Sequence, residues 1–293
     1  MLHCNTRCVA RSLEDVGRRR RTPTVRVPGI VQVAYSRMIN VLAIPALVDN
    51  YIWMLIREQS RDCVVVDPGE AEPVLAMLAE QGLQLTAILL THHHGDHVGG
   101  VEALLQHRSV PVYGPARERI AHCSHGLNGG DRIDLEAAGL QFDVLDVPGH
   151  TAGHIAYSGH GLLFAGDCLF AGGCGRLFEG TPSQMLESLD TLAALPPDTL
   201  VYCGHEYTEA NLRFASGVDP HNRALKDRLR QVIQQRGQGQ CTLPSRLATE
   251  LATNPFLRAD NPGVRQATEA LSGQPLPSRL DVFTAIRRLK DAA

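Results

Sequence analysis

Four histidines and one aspartate fall within seven consecutive residues, THHHGDH. Imidazole nitrogens and carboxylate oxygens are common ligands of divalent metal ions. If the segment begins extended, alternate side chains share a face, so His92 and His94 point the same way and His93 points opposite. A turn then brings Asp96 and His97 to a second side of the same space. This spacing suits two adjacent metal ions better than one.

A solvated histidine loop, or an uncharged cluster in the core, is the alternative explanation of this run. Four such residues at fixed spacing arise by chance in on the order of one chain in a thousand. Burial of three imidazoles and a carboxylate without partners would also cost free energy. We therefore expect a metal site.

Three further candidate ligands each follow a strand-like run elsewhere in the chain: His150 after DVLDVPG, Asp167 after GLLFAG and His205 after DTLVYCG. Open α/β sheets place their chemistry at the carboxyl ends of strands. The seven residues divide into two sets of three and one shared carboxylate: His92, His94 and His150 for one ion, Asp96, His97 and His205 for the other, and Asp167 as the bridge. An anionic bridge offsets the repulsion between two dications and sets their separation at ~3.5–4 Å.

Two such ions indicate hydrolysis, because metal binding lowers the pKa of water from 15.7 to about 7. Asp96 is expected to orient the bridging hydroxide, and Asp167 to take part in catalysis as the bridging ligand. Zinc is the default for this ligand set, with iron and manganese as alternatives. An ester, amide, phosphodiester or thioester substrate is compatible with the metal ligands alone.

The scaffold that positions these residues alternates strand-like runs with helical patterns. INVLAI and YIWMLI are predicted to pair as strands across a turn at Asp49 and Asn50, and CVVVDPG and LTAILL are predicted as buried strands. Thr181 is the predicted N-cap of a helix over TPSQMLESLDTLAAL. Strand signals stop after His205, and five helical segments follow. The sequence therefore predicts a layered α/β domain with mixed strand pairing over 38–205 and a helical domain over 206–293.

Composition and charge limit the remaining possibilities. The chain has 293 residues, eight cysteines and a net charge of −3, and no run approaches the ~20 apolar residues of a membrane span. Residues 1–37 hold eight arginines against Glu14 and Asp15, a net +6, so residues 38–293 carry −9. An acidic body argues against a nucleic-acid partner. We expect residues 1–37 to be a disordered extension or a mis-set start, with Met38 as the true beginning.

The cysteines show no CxxC pair or regular framework, which is typical of reduced thiols in a cytoplasmic protein. We expect a monomer that does not bind a membrane.

The seven candidate ligands resemble the metal-binding set of the metallo-β-lactamase superfamily. The resemblance implies an α+β fold, an αββα sandwich of two mixed β-sheets, here followed by a C-terminal α-helical domain. Longer stretches are similar to the glyoxalase II, or hydroxyacylglutathione hydrolase, family: LAIPALVDNYIWML, AGDCLFAGGCGRLFEGTP, YCGHEYTEANLRFA, NPFLR and FTAIRRLKD. This similarity extends from about residue 38 to the C-terminus.

Resemblance to this family implies a substrate, S-D-lactoylglutathione or a related 2-hydroxyacylglutathione, which is hydrolysed to D-lactate or its analogue and glutathione. It also implies glutathione contacts at Arg176, Tyr207, Arg287 and Lys290. Phe178 occupies a substrate-binding position where some family members have tyrosine, so one hydroxyl contact is missing. A solvated helix face is the alternative explanation of Arg287 and Lys290.

Other functions remain possible at this level. One is a mononuclear iron oxidoreductase of the persulfide dioxygenase type, which needs only a facial set of three ligands. Another is a superfamily hydrolase acting on a non-glutathione ester or thioester. A non-enzymatic binding module is a third, although an intact two-metal set is poor support for it.

Overall fold

A computed structural model describes residues 32–36 and 39–293 of the chain, with side chains from residue 39 onward. The predicted N-terminal extension, 1–37, lies outside the described residues except for Gln32–Ser36. Those five residues form strand β1, which pairs antiparallel with the next strand. This short part of the predicted extension is therefore a strand in the structure.

The first sheet has seven strands in the order β1-β2-β3-β4-β5-β6-β7. After β1 they are β2 Ile39–Ala46, β3 Asn50–Arg57, β4 Asp62–Val66, β5 Gln84–Leu89, β6 Val112–Pro115 and β7 His125–Leu127. The connecting helices are α1 Glu72–Gln81, α2 Gly95–Val98 and α3 Val101–His107. Pairing is antiparallel from β1 to β4 and parallel from β4 to β7, so the sheet is mixed.

The second sheet has six strands in the order β15-β14-β11-β10-β9-β8, and β12 pairs with β13 in a separate hairpin. The strands are β8 Arg132–Leu135, β9 Leu140–Asp146, β10 Ile155–Gly159, β11 Leu162–Gly166, β12 Leu169–Phe170, β13 Gly173–Cys174, β14 Leu200–Cys203 and β15 Ser245–Arg246. Helix α4, Pro182–Ala193, begins at the predicted N-cap Thr181, whose side chain and that of Gln184 form a capping box. Parallel pairing of β11 with β14 brings the ends of two ligand-bearing strands side by side.

The buried apolar side chains form three large layers. One cluster fills the space between the two sheets and contains Trp53 of β3, Phe142 of β9 and Tyr202 of β14. A second lies between the first sheet and helices α1 and α3, and a third lies between the second sheet and the helices that cover it. Helices therefore cover both outer faces of a pair of packed sheets. This arrangement confirms the predicted αββα sandwich of two mixed sheets.

The chain after β14 is mostly helical, as predicted: α5 Thr208–Val218, α6 Arg223–Gly237, α7 Leu247–Thr253, α8 Pro262–Ser272 and α9 Arg279–Asp291. The expectation that strands stop after His205 is wrong in one detail. Ser245 and Arg246 pair antiparallel with Val201 and Leu200, which adds β15 to the edge of the second sheet. Two residues give no periodicity, so this strand left no signal in the sequence. Within 39–293, no helix is both long and apolar enough to cross a membrane.

Candidate metal centre and substrate pocket

The first group of three imidazoles takes His92 and His94 from the turn between β5 and α2, and His150 from the loop after β9. His92 Nε2 lies 3.1 Å from His94 Nδ1, and His150 Nε2 lies 3.0 Å from the same atom. Their nitrogens therefore face one point. His93 turns away from it and contacts Glu118, at 2.8 Å between Nδ1 and Oε2. The strand alternation inferred from the sequence thus describes how these side chains are arranged.

A second group faces the same space from the other side and contains Asp96, His97 and His205. Asp96 Oδ2 lies 3.5 Å from His97 Nε2 and 3.3 Å from His205 Nε2. Asp96 and His97 occupy the first turn of α2, whereas His205 follows β14 on the other sheet. Potential ligand atoms of each group lie within 4.8 Å of one another.

Asp167, at the end of β11, lies between the two groups. Its Oδ2 is 3.5 Å from His150 Nε2 in the first group and 3.3 Å from His205 Nε2 in the second. The side chain is buried, and its other oxygen is 3.4 Å from His97 Nε2. This placement is the one that a shared carboxylate requires.

Asp67 is an outer partner of both groups, that is, a residue that contacts the candidate ligands from the side away from the centre. Its Oδ2 accepts a hydrogen bond from His97 Nδ1 at 3.0 Å, and its two oxygens accept from the amide and hydroxyl of Thr91 at 2.8 and 2.7 Å. The hydroxyl of Thr91 lies 3.0 Å from His92 Nδ1. Such contacts fix ring orientation and leave the Nε2 atoms of His92 and His97 facing the centre.

The β2–β3 turn supplies a second set of outer partners. Asp49 Oδ1 lies 2.8 Å from His205 Nδ1, and Asn50 Nδ2 donates to Asp96 Oδ2 at 3.0 Å. The backbone of Asn50 also forms an isolated antiparallel bridge with His205. Sequence reasoning assigned Asp49 and Asn50 only a turn role and therefore missed them.

His150 and Asp167 are held by neighbouring loops. His150 Nδ1 lies 2.8 Å from the carbonyl oxygen of Arg176. His154 Nε2 accepts a hydrogen bond from the amide of Asp167 at 3.1 Å, and its ring stacks on His92 at 4.7 Å between centroids. Burial and the nearby His150 lower the pKa of His154 to about 3, so its ring is neutral and available as an acceptor.

Carboxylates in this cluster require compensating positive charge. Burial lowers the pKa of His205, but Asp167 and Asp96 outweigh it and raise that pKa to about 10. Burial likewise opposes charge on His97, and Asp167 and Asp67 outweigh it, so its pKa lies well above the usual value. Burial raises the pKa of Asp167, whereas His97 and His205 hold it well below its usual range. Without a metal ion, protonation of His97 and His205 supplies this positive charge.

Divalent metal ions fit the same need. His97 Nε2 and Asp167 Oδ1 are buried, and neither has a hydrogen-bond partner among the described residues. Gly204 keeps the space beside them open, since a Cβ there would lie 2.5 Å from Asp167 Oδ1 and 2.6 Å from His97 Cε1. Buried polar atoms without partners call for an explanation, and a bound cation in the adjoining space would satisfy both. The donor set therefore fits a divalent metal-binding centre.

A cavity of about 700 Å³ opens on the centre and extends to the C-terminal helices. Its walls include the metal-facing His94, Asp96, His150, Asp167 and His205. They also include all five residues predicted to contact substrate, which come from one loop and two helix ends: Arg176, Phe178, Tyr207, Arg287 and Lys290. His94 and Lys290, 196 positions apart in sequence, therefore line one cavity of a size suited to a small molecule.

The five predicted contact residues differ in their exposure and in the contacts that they make within the protein. Phe178 is 60% exposed, at the cavity rim, and its ring lies 5.3 Å from that of His150. Tyr207 stacks on His205 at 4.6 Å, and burial, followed by the nearby carboxylates, raises its pKa. Lys290 places its ammonium 5.3 Å from the Phe214 ring centroid. Arg176 and Arg287 both pair with an acidic residue, described below.

Family models match almost the whole of the described chain. The metallo-beta-lactamase superfamily model matches residues 50–205, and the model for the hydroxyacylglutathione hydrolase C-terminus matches residues 206–293. Fold and site together define a metalloprotein of the metallo-β-lactamase superfamily.

The curated relatives narrow the class. A hydroxyacylglutathione hydrolase from Alkalilimnicola ehrlichii is 59% identical over 254 residues, which is 87% of this chain and 99% of the relative. The hydroxyacylglutathione hydrolase from Methylobacillus flagellatus is 52% identical with the same coverage. The chain belongs to the hydroxyacylglutathione hydrolase family. The persulfide dioxygenase alternative is not favoured.

Solved structures share the fold at lower identity. The crystal structure of ETHE1 from Myxococcus xanthus superposes with a TM-score of 0.57 and 27% identity, covering 82% of this chain and 86% of that one. TTHA1623 in a di-iron-bound form gives a TM-score of 0.52 and 28% identity, covering 76% and 100%.

Replacement of Asp67 by asparagine tests the outer partners. The variant keeps the size of the side chain but removes the charge that orients His97, so we expect metal affinity to fall about 10- to 100-fold. Competition with a chromophoric chelator measures the change. Asp62→Asn, at the start of β4 on the same sheet, is the matched control and should keep wild-type affinity. Unchanged affinity in Asp67→Asn would remove the orienting role.

Proposed function

We propose that this protein is a binuclear metal-dependent thioester hydrolase that converts S-D-lactoylglutathione, and related 2-hydroxyacylglutathiones, to the free hydroxy acid and glutathione. The observation that carries the proposal is the single cavity shared by the metal-facing residues and the predicted glutathione contacts. Two hydroxyacylglutathione hydrolases also align with this chain over 99% of their own length. In the cell, this reaction would be the second step of methylglyoxal detoxification.

We assign His92, His94 and His150 to one ion, and Asp96, His97 and His205 to the other, with Asp167 shared by both. Zinc suits imidazole and carboxylate ligands. The di-iron form of TTHA1623 supports a two-metal centre on this fold and makes iron the first alternative, with manganese next. Metal analysis of the purified protein, as moles of each metal per chain, decides between them.

The ions, when bound, would polarise the thioester carbonyl and supply a water of lowered pKa. Asp96 lies on the cavity wall, where its carboxylate can accept a hydrogen bond from the attacking water and orient it. Asn50 and His205 fix that carboxylate through Oδ2. The leaving thiolate has a pKa of about 8.5 by analogy with cysteine, so it needs no dedicated general acid.

The cationic side of the cavity would hold the glutathione part of the substrate. Glutathione carries two carboxylates, and Arg176, Arg287 and Lys290 supply positive charge on an acidic protein. Tyr207 lines the same cavity, and Phe178 supplies an apolar edge at the rim. These contacts distinguish a glutathione thioester from a neutral one, since uncompensated carboxylates bind poorly to an acidic surface.

A substrate comparison tests this proposal. The full-length protein, loaded with metal, should hydrolyse S-D-lactoylglutathione with a kcat/KM at least about a hundredfold above that for the lactoyl thioester of N-acetylcysteamine, because two carboxylate contacts are lost. Thiol release measured with a disulfide dye reports both reactions. Equal kcat/KM values for the two thioesters would remove glutathione from the proposal but leave a metal-dependent thioesterase.

We further infer a monomeric, cytoplasmic protein that binds neither nucleic acid nor membranes. The six described cysteines are free thiols, in keeping with a reducing compartment. Light scattering of the purified chain gives the assembly state, and fractionation of cells gives the location.

A further inference from the structure

One carboxylate lies between two of the cavity arginines. Asp291, the last residue of α9, places Oδ1 3.3 Å from Arg176 Nε, 3.1 Å from Arg287 Nε and 3.0 Å from Arg287 Nη2. Arg176 belongs to the loop after β13, so the contact joins two separate walls of the cavity. The protein therefore already holds an anion at the place where two cations converge.

Arg287 has few donors left for a ligand. Its Nη1 donates to the carbonyl oxygen of Cys174 at 2.8 Å and to that of Gly175 at 3.4 Å, while Nε and Nη2 face Asp291. The guanidinium is also 5.2 Å from the Phe256 ring centroid, and the residue is 6% exposed. Of the five N–H groups of arginine, four are committed in this arrangement. An incoming carboxylate gains a paired contact only by displacing Asp291.

We propose that Asp291 is a specificity-determining residue, an internal carboxylate that occupies the anion site between Arg176 and Arg287 and competes with a carboxylate of the substrate. The inference rests on the proposed glutathione thioester substrate. Binding exchanges one carboxylate for another at the same N–H groups, so the net gain from these arginines is smaller than two free cations would give. Asp291 thereby weakens retention of every anionic ligand in the cavity, including the product glutathione.

A purely structural role for Asp291 fits the observations less well. A carboxylate at the C-terminal end of a helix interacts unfavourably with the helix dipole, so it does not stabilise α9 by its position. Arg287 keeps its carbonyl partners and the Phe256 ring when Asp291 is removed. The side chains of Asp291 and Arg176 are 37% and 56% exposed, which leaves room for the exchange.

The test compares Asp291→Asn and Asp291→Ala with wild type on metal-loaded protein. Removing the internal anion should lower KM for S-D-lactoylglutathione and the inhibition constant of glutathione about three- to tenfold, with kcat within twofold, because the freed N–H groups bind the incoming carboxylate. The KM for the lactoyl thioester of N-acetylcysteamine, which lacks carboxylates, should stay within twofold. Both effects on the anionic ligands should weaken as salt increases.

Asp190→Asn is the matched control. Asp190 pairs with Arg279, at 2.6 and 2.8 Å, at the opposite end of α9, about 18 Å along the helix from Asp291. It removes the same charge and the same kind of contact to α9, and should leave the kinetics at wild-type values. Thermal melting of each variant shows that it is folded.

Three results would overturn the inference. Unchanged or raised KM for the glutathione thioester in both Asp291 variants would mean that Asp291 does not compete. An equal fall in KM for the neutral thioester would mean that charge is not the cause. Equal kcat/KM values of the wild-type protein for the two thioesters would instead contradict the glutathione assignment. This inference would then fall with that assignment, whatever the variants show.

Discussion

Alanine at position 167 should lower kcat at least about a thousandfold and reduce bound metal to one ion or fewer per chain. Asp167 is the carboxylate that lies within 3.5 Å of a histidine of each group. Its removal leaves two cations without the anion that offsets their repulsion, so one of them is lost. The remaining ion cannot fix both the substrate carbonyl and the attacking water. Steady-state kinetics and metal analysis of the same preparation measure both effects.

Asp143→Ala provides the control for that variant. Asp143 lies on β9 of the same sheet, and its side chain is 63% exposed. The control should keep both metal content and kcat, because an exposed carboxylate contributes little to stability. Wild-type activity in Asp167→Ala would contradict the assignment of this residue as the shared ligand.

Exhaustive chelation is expected to reduce activity to below about 1% and to lower the melting temperature by about 10 °C. The proposed centre takes His92, His94, Asp96 and His97 from the first sheet, and His150, Asp167 and His205 from the second. Ligand at a thousandfold above its Kd stabilises the folded state by about 4 kcal/mol. One kcal/mol shifts the melting temperature of a protein of this size by about 2–4 °C.

The fluorescence of Trp53, the only tryptophan in the chain, follows this melting because its ring is buried between the sheets. Restoring zinc should recover both activity and melting temperature. Asp167→Ala should show a smaller shift on chelation, since less metal is there to remove. Full turnover by the chelated protein would end the metal-dependent mechanism.

Much of the site was predictable because its signals are local. The spacing of His92, His94, Asp96 and His97 encodes the geometry of one turn, and strand alternation determines which rings share a face. His150, Asp167 and His205 were predictable in kind, because each follows a recognisable strand and parallel strands end at a common edge. Capping of α4 by Thr181 and the left-handed Gly82 after α1 were predictable in the same local way.

The roles of Asp49 and Asp291 were not predictable, because they depend on contacts between distant parts of the chain. Asp49 meets His205 across 156 residues, and Asp291 meets Arg176 across 115. Nothing local distinguishes either aspartate from one in an ordinary turn or helix end. The role of Arg287 was partly obscured for the same reason, since the carbonyl oxygens that hold it lie 112 and 113 residues away.

The tip of the β2–β3 hairpin joins exposed residues directly to residues that contact the proposed metal centre. Leu47 and Val48 are 50% and 96% exposed, and by that measure they are sites where substitution or a short insertion costs a fold little. The next two residues, Asp49 and Asn50, contact His205 and Asp96 of the proposed metal centre. Randomised libraries at this tip should therefore yield many well-folded, well-expressed clones with impaired turnover. Screens that select on solubility alone would retain them.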